Sequence, residues 1–127
     1  MMVIRQSYVI HAPVAKVWQA LTDPKVIAAW GAGPANMRPT VGYKFKLRGG
    51  DIWGKNTEIK KNKRLAQEWY TDKWKHPSLV TITLNWENGR TYVDMLQEEV
   101  PDDERDKINK GWKEFYFGPL IRLVESV

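Results

Sequence analysis

The order of apolar and polar residues divides the chain into an opening strand, a helical stretch, a region of two-residue alternation and a final helical stretch. Val3 to Ile10 is rich in apolar and β-branched residues and predicts the opening strand. Pro13 stands where a helix begins, and apolar side chains then recur at the spacing of one helix face: Val14, Val17, Trp18 and Leu21. Asp23 and Pro24 predict a stop followed by a second short helix.

Alternation with a period of two then predicts five further strands, each with one buried and one wet face. They are predicted at residues 41–47, 52–60, 65–70, 80–86 and 91–97. Gly49, Gly50 and Asp51 predict a turn between the first two of them. Asn88-Gly89 predicts a tight hairpin between the last two, because both residues tolerate a positive φ.

The end of the chain predicts a long helix. Pro101 is followed by Asp102, Asp103 and Glu104, which favour the positive end of a helix, and one apolar stripe follows. Gly118-Pro119 is expected to bend or interrupt this helix. A single antiparallel sheet must cover one apolar face, and the terminal helix is long enough to do so. We therefore predict an α+β fold: a curved six-stranded antiparallel sheet around a long C-terminal helix, with two short helices after the first strand.

Composition narrows the class of protein. The 127 residues suffice for a single domain, which we place at residues 1–127. No cysteine is present, which excludes disulfides and thiol chemistry, and no apolar run is long enough to span a membrane, so we expect a cytoplasmic protein. Residues 38–80 carry eleven Lys and Arg against four Asp and Glu, whereas residues 81–127 carry six against ten. Such a basic middle favours encounters with an acidic partner.

Several segments resemble a known family. The stretch from Ala12 to Pro24, with Val-Trp-x-x-Leu-Thr-Asp-Pro, is typical of the SRPBCC (START-like, helix-grip) superfamily. Residues 100–104, 111–120, 54–69 and 80–84 are similar to the carboxy-terminal domain of the activator of the ninety-kilodalton heat-shock ATPase. This resemblance implies a helix-grip fold and allows a chaperone partner. An additional amino-terminal domain of the full activator, which carries much of the chaperone contact, has no counterpart in these segments.

The abundance of aromatic residues predicts a ligand cavity between the sheet and the terminal helix. Seven Trp in a chain this short cannot all be hidden in the core, so some should line a groove. We expect the cavity wall to contain Trp30, Trp53, Gln67, Trp69, Met95, Gln97, Trp112 and Tyr116. The two glutamines are either satisfied by each other or by water, or they orient a small hydrophobic ligand. Whether Asn56 and Glu58 also face inward depends on a bulge after Gly54.

Other candidate chemistry rests on single residues or short runs. The basic hairpin tip predicted at Lys60, Lys61, Lys63 and Arg64 is either a solvated turn or a docking site for an acidic protein. Glu58 is the one candidate general base, for a cyclase- or hydrolase-type reaction. His11 and His76 have no third ligand spaced to hold a metal, and neither a cofactor motif nor a nucleic-acid-binding motif is present. We predict a non-enzymatic binding module, with a co-chaperone domain that stimulates a heat-shock ATPase as the alternative.

Overall fold

The computed structural model describes residues 1–126 and contains a six-stranded antiparallel sheet. Its strands are β1 (Met2–Ile10), β2 (Lys44–Leu47), β3 (Ile52–Lys60), β4 (Arg64–Tyr70), β5 (Ser78–Glu87) and β6 (Arg90–Val100). The strand order is β1-β6-β5-β4-β3-β2, so β1 and β2 are the edges. The predicted α+β class, the number of strands and the helix-grip arrangement are confirmed.

Two short helices follow β1, as predicted. Helix α1 (Val14–Thr22) ends at Asp23, and α2 (Pro24–Ile27) continues into a π-helical turn (Ala28–Ala32). The Asp23 carboxylate accepts a hydrogen bond of 2.9 Å from the backbone N–H of Lys25, which satisfies one of the free donors at the start of α2.

Strand β2 is shorter than the alternation predicted. Residues 41–43 lie in a turn, and Val41 is exposed rather than buried. Gly42 has a φ of 85°, a conformation that an L-residue in a regular strand does not adopt, and the strand starts only after it. The predicted hairpin is confirmed: Asn88 and Gly89 have φ values of 53° and 75° and join β5 to β6.

The terminal helix begins with a 3-10 turn (Asp102–Glu104) and continues through α3 (Arg105–Gly111), a π-helical turn (Trp112–Phe117) and α4 (Gly118–Glu125). The predicted interruption at Gly118-Pro119 is a change of hydrogen-bond register and not a break. The N–H of Gly118 donates to the carbonyl of Lys113, five residues earlier. A Cβ at residue 118 would lie 2.3 Å from that oxygen, so only glycine fits this register.

The core lies between the concave face of the sheet and the terminal helix. Its fully buried members come from both layers, and the largest include Phe45, Leu65, Ile82, Met95, Phe117 and Leu120. Alternation along β4 turns Leu65, Gln67 and Trp69 inward and leaves the residues between them half-exposed on the outer face. The inner face therefore carries Gln67 and Gln97 at the sites that the alternation predicted, and Asn56 of β3 is a third buried amide there.

A candidate ligand cleft with an aromatic wall

A cleft of about 520 Å³ opens between the terminal helix and the end of the sheet formed by β2, β3 and β4. Its wall is largely apolar and is built from Leu47, Ile52, Trp69, Trp74, Ile108, Trp112, Phe115 and Tyr116. Trp69 is supplied by β4 and Trp74 by the loop that follows it. The remaining aromatic side chains come from two consecutive turns of the terminal helix.

The aromatic rings of the wall pack on one another. The ring centroids of Trp69 and Trp112 are 4.8 Å apart, and those of Trp112 and Tyr116 are 4.7 Å apart in an edge-to-face arrangement. Trp30 packs edge-to-face on the other side of Tyr116 at 4.8 Å. These separations are those of favourable aromatic pairs, so each ring of the wall is supported by its neighbours without a ligand.

The indole N–H of Trp112 is held by a buried hydrogen-bond relay. Trp112 Nε1 donates to Gln97 Oε1 at 2.7 Å, and Gln97 Nε2 donates to Ser78 Oγ at 2.9 Å. The Ser78 hydroxyl in turn donates to the carbonyl oxygen of Glu98 at 2.7 Å. Because Trp112, Gln97 and Ser78 are all buried, the relay removes the cost of leaving these polar groups without partners.

A second relay holds Trp69 in the same way. Trp69 Nε1 donates to Gln67 Oε1, and Gln67 Nε2 donates to Asn56 Oδ1, each at 2.8 Å. Asn56 Nδ2 ends the relay at the backbone carbonyls of Arg38 and Thr40, at 2.8 and 3.1 Å. Both tryptophans therefore have their polar atoms satisfied within the protein, and their rings supply the apolar surface of the cleft.

The mouth of the cleft is formed by side chains that touch across it. Phe115 is 55% exposed, and the Arg48 guanidinium lies 5.3 Å from the centroid of its ring. Arg48 has a φ of 53°, a left-handed conformation that is unfavourable for a residue other than glycine. On the other side, Trp74 Nε1 donates to a carboxylate oxygen of Glu104 at 3.2 Å.

The rim carries both signs of charge, whereas the floor is neutral. The charged side chains on the cleft are Arg48, Lys73, Lys107, Asp51, Asp72 and Glu104. Burial raises the pKa of the Tyr116 hydroxyl well above its ordinary value, because the surroundings disfavour a phenolate. Tyr116 therefore contributes a neutral ring and hydroxyl at any physiological pH.

The structure brings together half of the residues predicted for the cavity. Trp69, Gln97, Trp112 and Tyr116 line the cleft. The other predicted inward-facing residues, Trp30, Gln67 and Met95, are buried behind the wall.

The placement of Trp53 was wrong. It lies on the outer face of the sheet, stacked on Tyr70 with the two rings 6° from parallel, because the inward positions of β3 are Gly54 and Asn56.

Glu58 does not face the cleft. The register of β3 shifts between Asn56 and Glu58, so that Asn56 points inward and Glu58 lies on the outer face. There its carboxylate pairs with Arg64 at 2.8 Å and with Lys60 at 3.4 Å. On the opposite side of the sheet from the cleft, it cannot serve as a general base for a ligand bound there.

The hairpin tip projects into solvent. Lys60, Lys61 and Lys63 are exposed and Arg64 is half-exposed. His11 is exposed near the end of the terminal helix, where its backbone N–H donates to Glu125 at 2.9 Å, and His76 is exposed in a loop. Within residues 1–126, no group of three or more His, Asp or Glu side chains is placed to hold a metal ion. No helix in the same range is long and apolar enough to cross a bilayer.

Three residues of the cleft were not predicted from the sequence to line it: Arg48, Trp74 and Phe115. Trp74 lies in a loop between lysines, where no periodicity indicates which way it faces. Phe115 is part of the apolar stripe of the terminal helix, but it lies in the π-helical turn and is exposed to solvent. For Trp74 the available signal was chemical, since a large aromatic side chain stands between two lysines in a loop.

The architecture places the chain among helix-grip, START-like proteins. The family described as Activator of Hsp90 ATPase homolog 1-like protein matches residues 11–125. The chain belongs to this family.

Curated relatives agree with this assignment. The mouse protein named activator of 90 kDa heat shock protein ATPase homolog 1 is 27% identical over 104 residues, which are 80% of this chain and 31% of the relative. A Dictyostelium discoideum protein with a similar name is 37% identical over 75 residues, 57% of this chain and 20% of the relative. An uncharacterized fission yeast protein is 25% identical over 92% of this chain and 35% of its own length. The chain thus spans about a third of the length of the first curated relatives it matches.

Solved structures share the fold. An HSP90 activator from Plasmodium falciparum superposes with a TM-score of 0.89 at 21% identity, over 97% of this chain and 96% of that one. CalU16 from Micromonospora echinospora gives a TM-score of 0.79 at 28% identity, over 97% of this chain and 73% of its own.

Proposed function

We propose that this domain is a binding module that holds a small, mainly hydrophobic ligand in the cleft. The observation that carries the proposal is the aromatic wall, whose rings are preorganised and whose polar tips are satisfied from behind. A volume of about 520 Å³ is within the range of small-molecule sites, about 300–1,000 Å³. Exposed Phe115 at the mouth presents apolar surface that a ligand would remove from water.

The polar groups around the cleft suit a ligand with one or two polar atoms. Gln97 Nε2 makes one hydrogen bond among the described residues, to Ser78, although the amide carries two N–H donors. Because Gln97 is fully buried, the hydroxyl of Tyr116 is the group that would orient a polar atom of the ligand from the floor. Gln67 is different, since its amide contacts Asn56 and the sulfur of Met37 and does not line the cleft.

Titration with anilinonaphthalene sulfonate, an apolar dye with one anionic group, tests the proposal. We expect saturable, blue-shifted fluorescence that palmitate or an aromatic polyketide such as emodin displaces. Phe115→Ala and Trp74→Ala should each weaken binding about 5- to 10-fold, since each removes part of the apolar contact area. Trp86→Ala is the matched control, because Trp86 is half-exposed at the end of β5 and does not line the cleft.

Native mass spectrometry of gently purified protein gives a second readout, in which a retained small molecule would appear as added mass. Non-saturable dye binding, or equal weakening by Trp86→Ala, would contradict the proposal. So would a broad ligand screen in which nothing competes with the dye.

The family assignment favours a second candidate, a co-chaperone domain that stimulates a heat-shock ATPase. Relatives in mouse and human carry names that describe such activators, although they are about three times longer than the matched region. The contact would be made by the exposed lysines of the hairpin tip, Lys61 and Lys63, on an acidic partner surface.

An ATPase assay with the ninety-kilodalton chaperone of the same source cell separates the two candidates. Stimulation that falls in Lys61→Glu/Lys63→Glu but not in Phe115→Ala would support the co-chaperone function. The charge-matched control is Lys25→Glu/Lys110→Glu, which alters exposed lysines outside the hairpin tip. Absence of stimulation and of complex formation at low salt, where charge steering is strongest, would remove this candidate.

A further inference from the structure

The outer face of the sheet carries a regular patch of cationic and aromatic side chains. Lys46, Trp53 and Tyr70 are direct cross-strand neighbours on β2, β3 and β4. In the adjacent row, Lys44 pairs with Lys55, which pairs with Glu68. These six residues form two rows of three on one face, and we call them the outer-face patch.

The patch contains an unfavourable arrangement that the fold does not require. Lys44 and Lys55 are directly opposed, and like charges at such positions destabilise a sheet. Glu68 relieves this only in part, at 3.9 Å from Lys55. Lys44 and Lys46 make no ion pair within residues 1–126. An anionic partner would neutralise this repulsion.

The aromatic members make the patch more than a charged edge. Lysines on an edge strand discourage sheet-to-sheet aggregation, which would account for Lys44 and Lys46 on β2. Edge protection does not account for Trp53, which is 36% exposed and stacked flat on Tyr70 with centroids 6.1 Å apart. Tryptophan and tyrosine are among the residues enriched in protein-binding hot spots, and here they stand side by side on an open face.

We infer that the outer-face patch docks an acidic segment of a partner protein that also carries an apolar side chain. The lysines would pair with its carboxylates, and the apolar side chain would cover Trp53. Glu68 and the exposed Leu79, its cross-strand neighbour, favour a protein over a nucleic acid. A phosphate backbone would be repelled by Glu68 and would gain little from Leu79, whereas a peptide places varied side chains at both. This inference does not depend on the cleft or on the hairpin tip.

Fluorescence anisotropy with defined probes tests the docking site. The main probe, the Leu peptide, is a fluorescein-labelled peptide of three Glu-Glu-Leu-Asp repeats. A second probe, the Ser peptide, has Ser in place of each Leu. A thymidine oligonucleotide of similar charge is the third probe. At low salt we expect the Leu peptide to bind most tightly and all binding to weaken as salt increases.

Variants locate the binding. Lys44→Ser/Lys46→Ser should weaken the Leu peptide about 5-fold, and Trp53→Ser should weaken it about 10-fold while changing the Ser peptide little. The control Lys25→Ser/Lys110→Ser removes the same charge elsewhere and should leave binding within about 2-fold. Circular dichroism melting verifies that each variant is folded. If Trp53→Ser does not fold, the lysine variants still test the docking site.

Three results would overturn the inference. One is the absence of peptide binding at low salt. Another is equal weakening by the patch and control lysine pairs, which would indicate attraction by net charge alone. The third is tighter binding of the oligonucleotide than of the Leu peptide at the same site.

Discussion

Replacing Gln97 by leucine should destabilise the protein by about 2 kcal/mol, because it leaves the buried indole N–H of Trp112 without an acceptor. Leucine is apolar and of comparable size, so the cavity contribution is small. Ser78 keeps its donated hydrogen bond to the Glu98 carbonyl, so the loss is concentrated at the indole. For a domain of this length the loss corresponds to a decrease in Tm of roughly 5–10 °C.

A double-mutant cycle with Trp112→Phe isolates this interaction from the packing of the ring. Phenylalanine removes the N–H and part of the indole, so Trp112→Phe alone loses packing and leaves Gln97 Oε1 unpaired. In the double variant neither polar partner remains, and we expect a coupling free energy of about 1–2 kcal/mol. The Gln19→Leu variant, at an exposed site on α1, should change stability by less than about 0.5 kcal/mol.

Urea unfolding followed by far-ultraviolet circular dichroism measures these free energies without relying on tryptophan fluorescence. The m-value should stay constant, so that a change of midpoint reports a change of stability. A coupling free energy below about 0.5 kcal/mol would refute the conclusion that Gln97 stabilises the indole N–H of Trp112. It would also reopen the interpretation in which the whole Gln97 amide serves a ligand.

Three further predictions concern other features of the fold. Gly118→Ala should destabilise the protein by about 2 kcal/mol or more, because the new methyl would clash with the Lys113 carbonyl. Gly111→Ala, whose new methyl has room, should be neutral or stabilise the protein by up to about 1 kcal/mol, and thermal melting of the two variants checks both expectations. Because the pKa of Tyr116 is raised in the folded state, the unfolded chain loses the phenolic proton first as the pH rises, and stability should fall above about pH 10. The fall should be less steep in Tyr116→Phe. Urea midpoints measured against pH test this, and identical profiles for the two proteins would contradict it. Lys44→Glu should stabilise the free protein by about 0.2–1 kcal/mol in urea unfolding, because it replaces the repulsion by Lys55 with attraction.

Hydrophobic alternation predicted most of the architecture, because the burial of one face of a strand or helix places apolar residues at regular intervals along the chain. Strands β3 to β6 and the two short helices were predicted close to their observed bounds. The exception, the start of β2, depended on the backbone of Gly42. A single residue with positive φ ends a strand without altering the apolar pattern around it.

The cleft was predicted only in part, since its position depends on contacts between distant segments. Alternation placed Trp69 and Gln97 on the inner face, whereas Trp53, which the abundance of aromatic residues suggested for the wall, lies on the outer face. A shift of register after Asn56 in β3 leaves Asn56 inward and turns Glu58 outward. A single-residue slip reverses the face of every following side chain, and nothing local to β3 shows where it occurs.

The chain by itself determined the order of strands and helices, the inward face of most strands and the membership of a helix-grip family. These follow from periodicity, turn residues and short motifs, all of which act over a few neighbouring residues. Only the tertiary structure decided that the buried amides Gln67 and Gln97 hold the indoles of Trp69 and Trp112. It also decided that the cleft opens at Phe115 and that Trp53 lies on the outer face. Hydrogen-bond partners and open surfaces depend on which segments of the sheet and the terminal helix come into contact. These segments are far apart in the sequence, so only the complete fold determines their contacts.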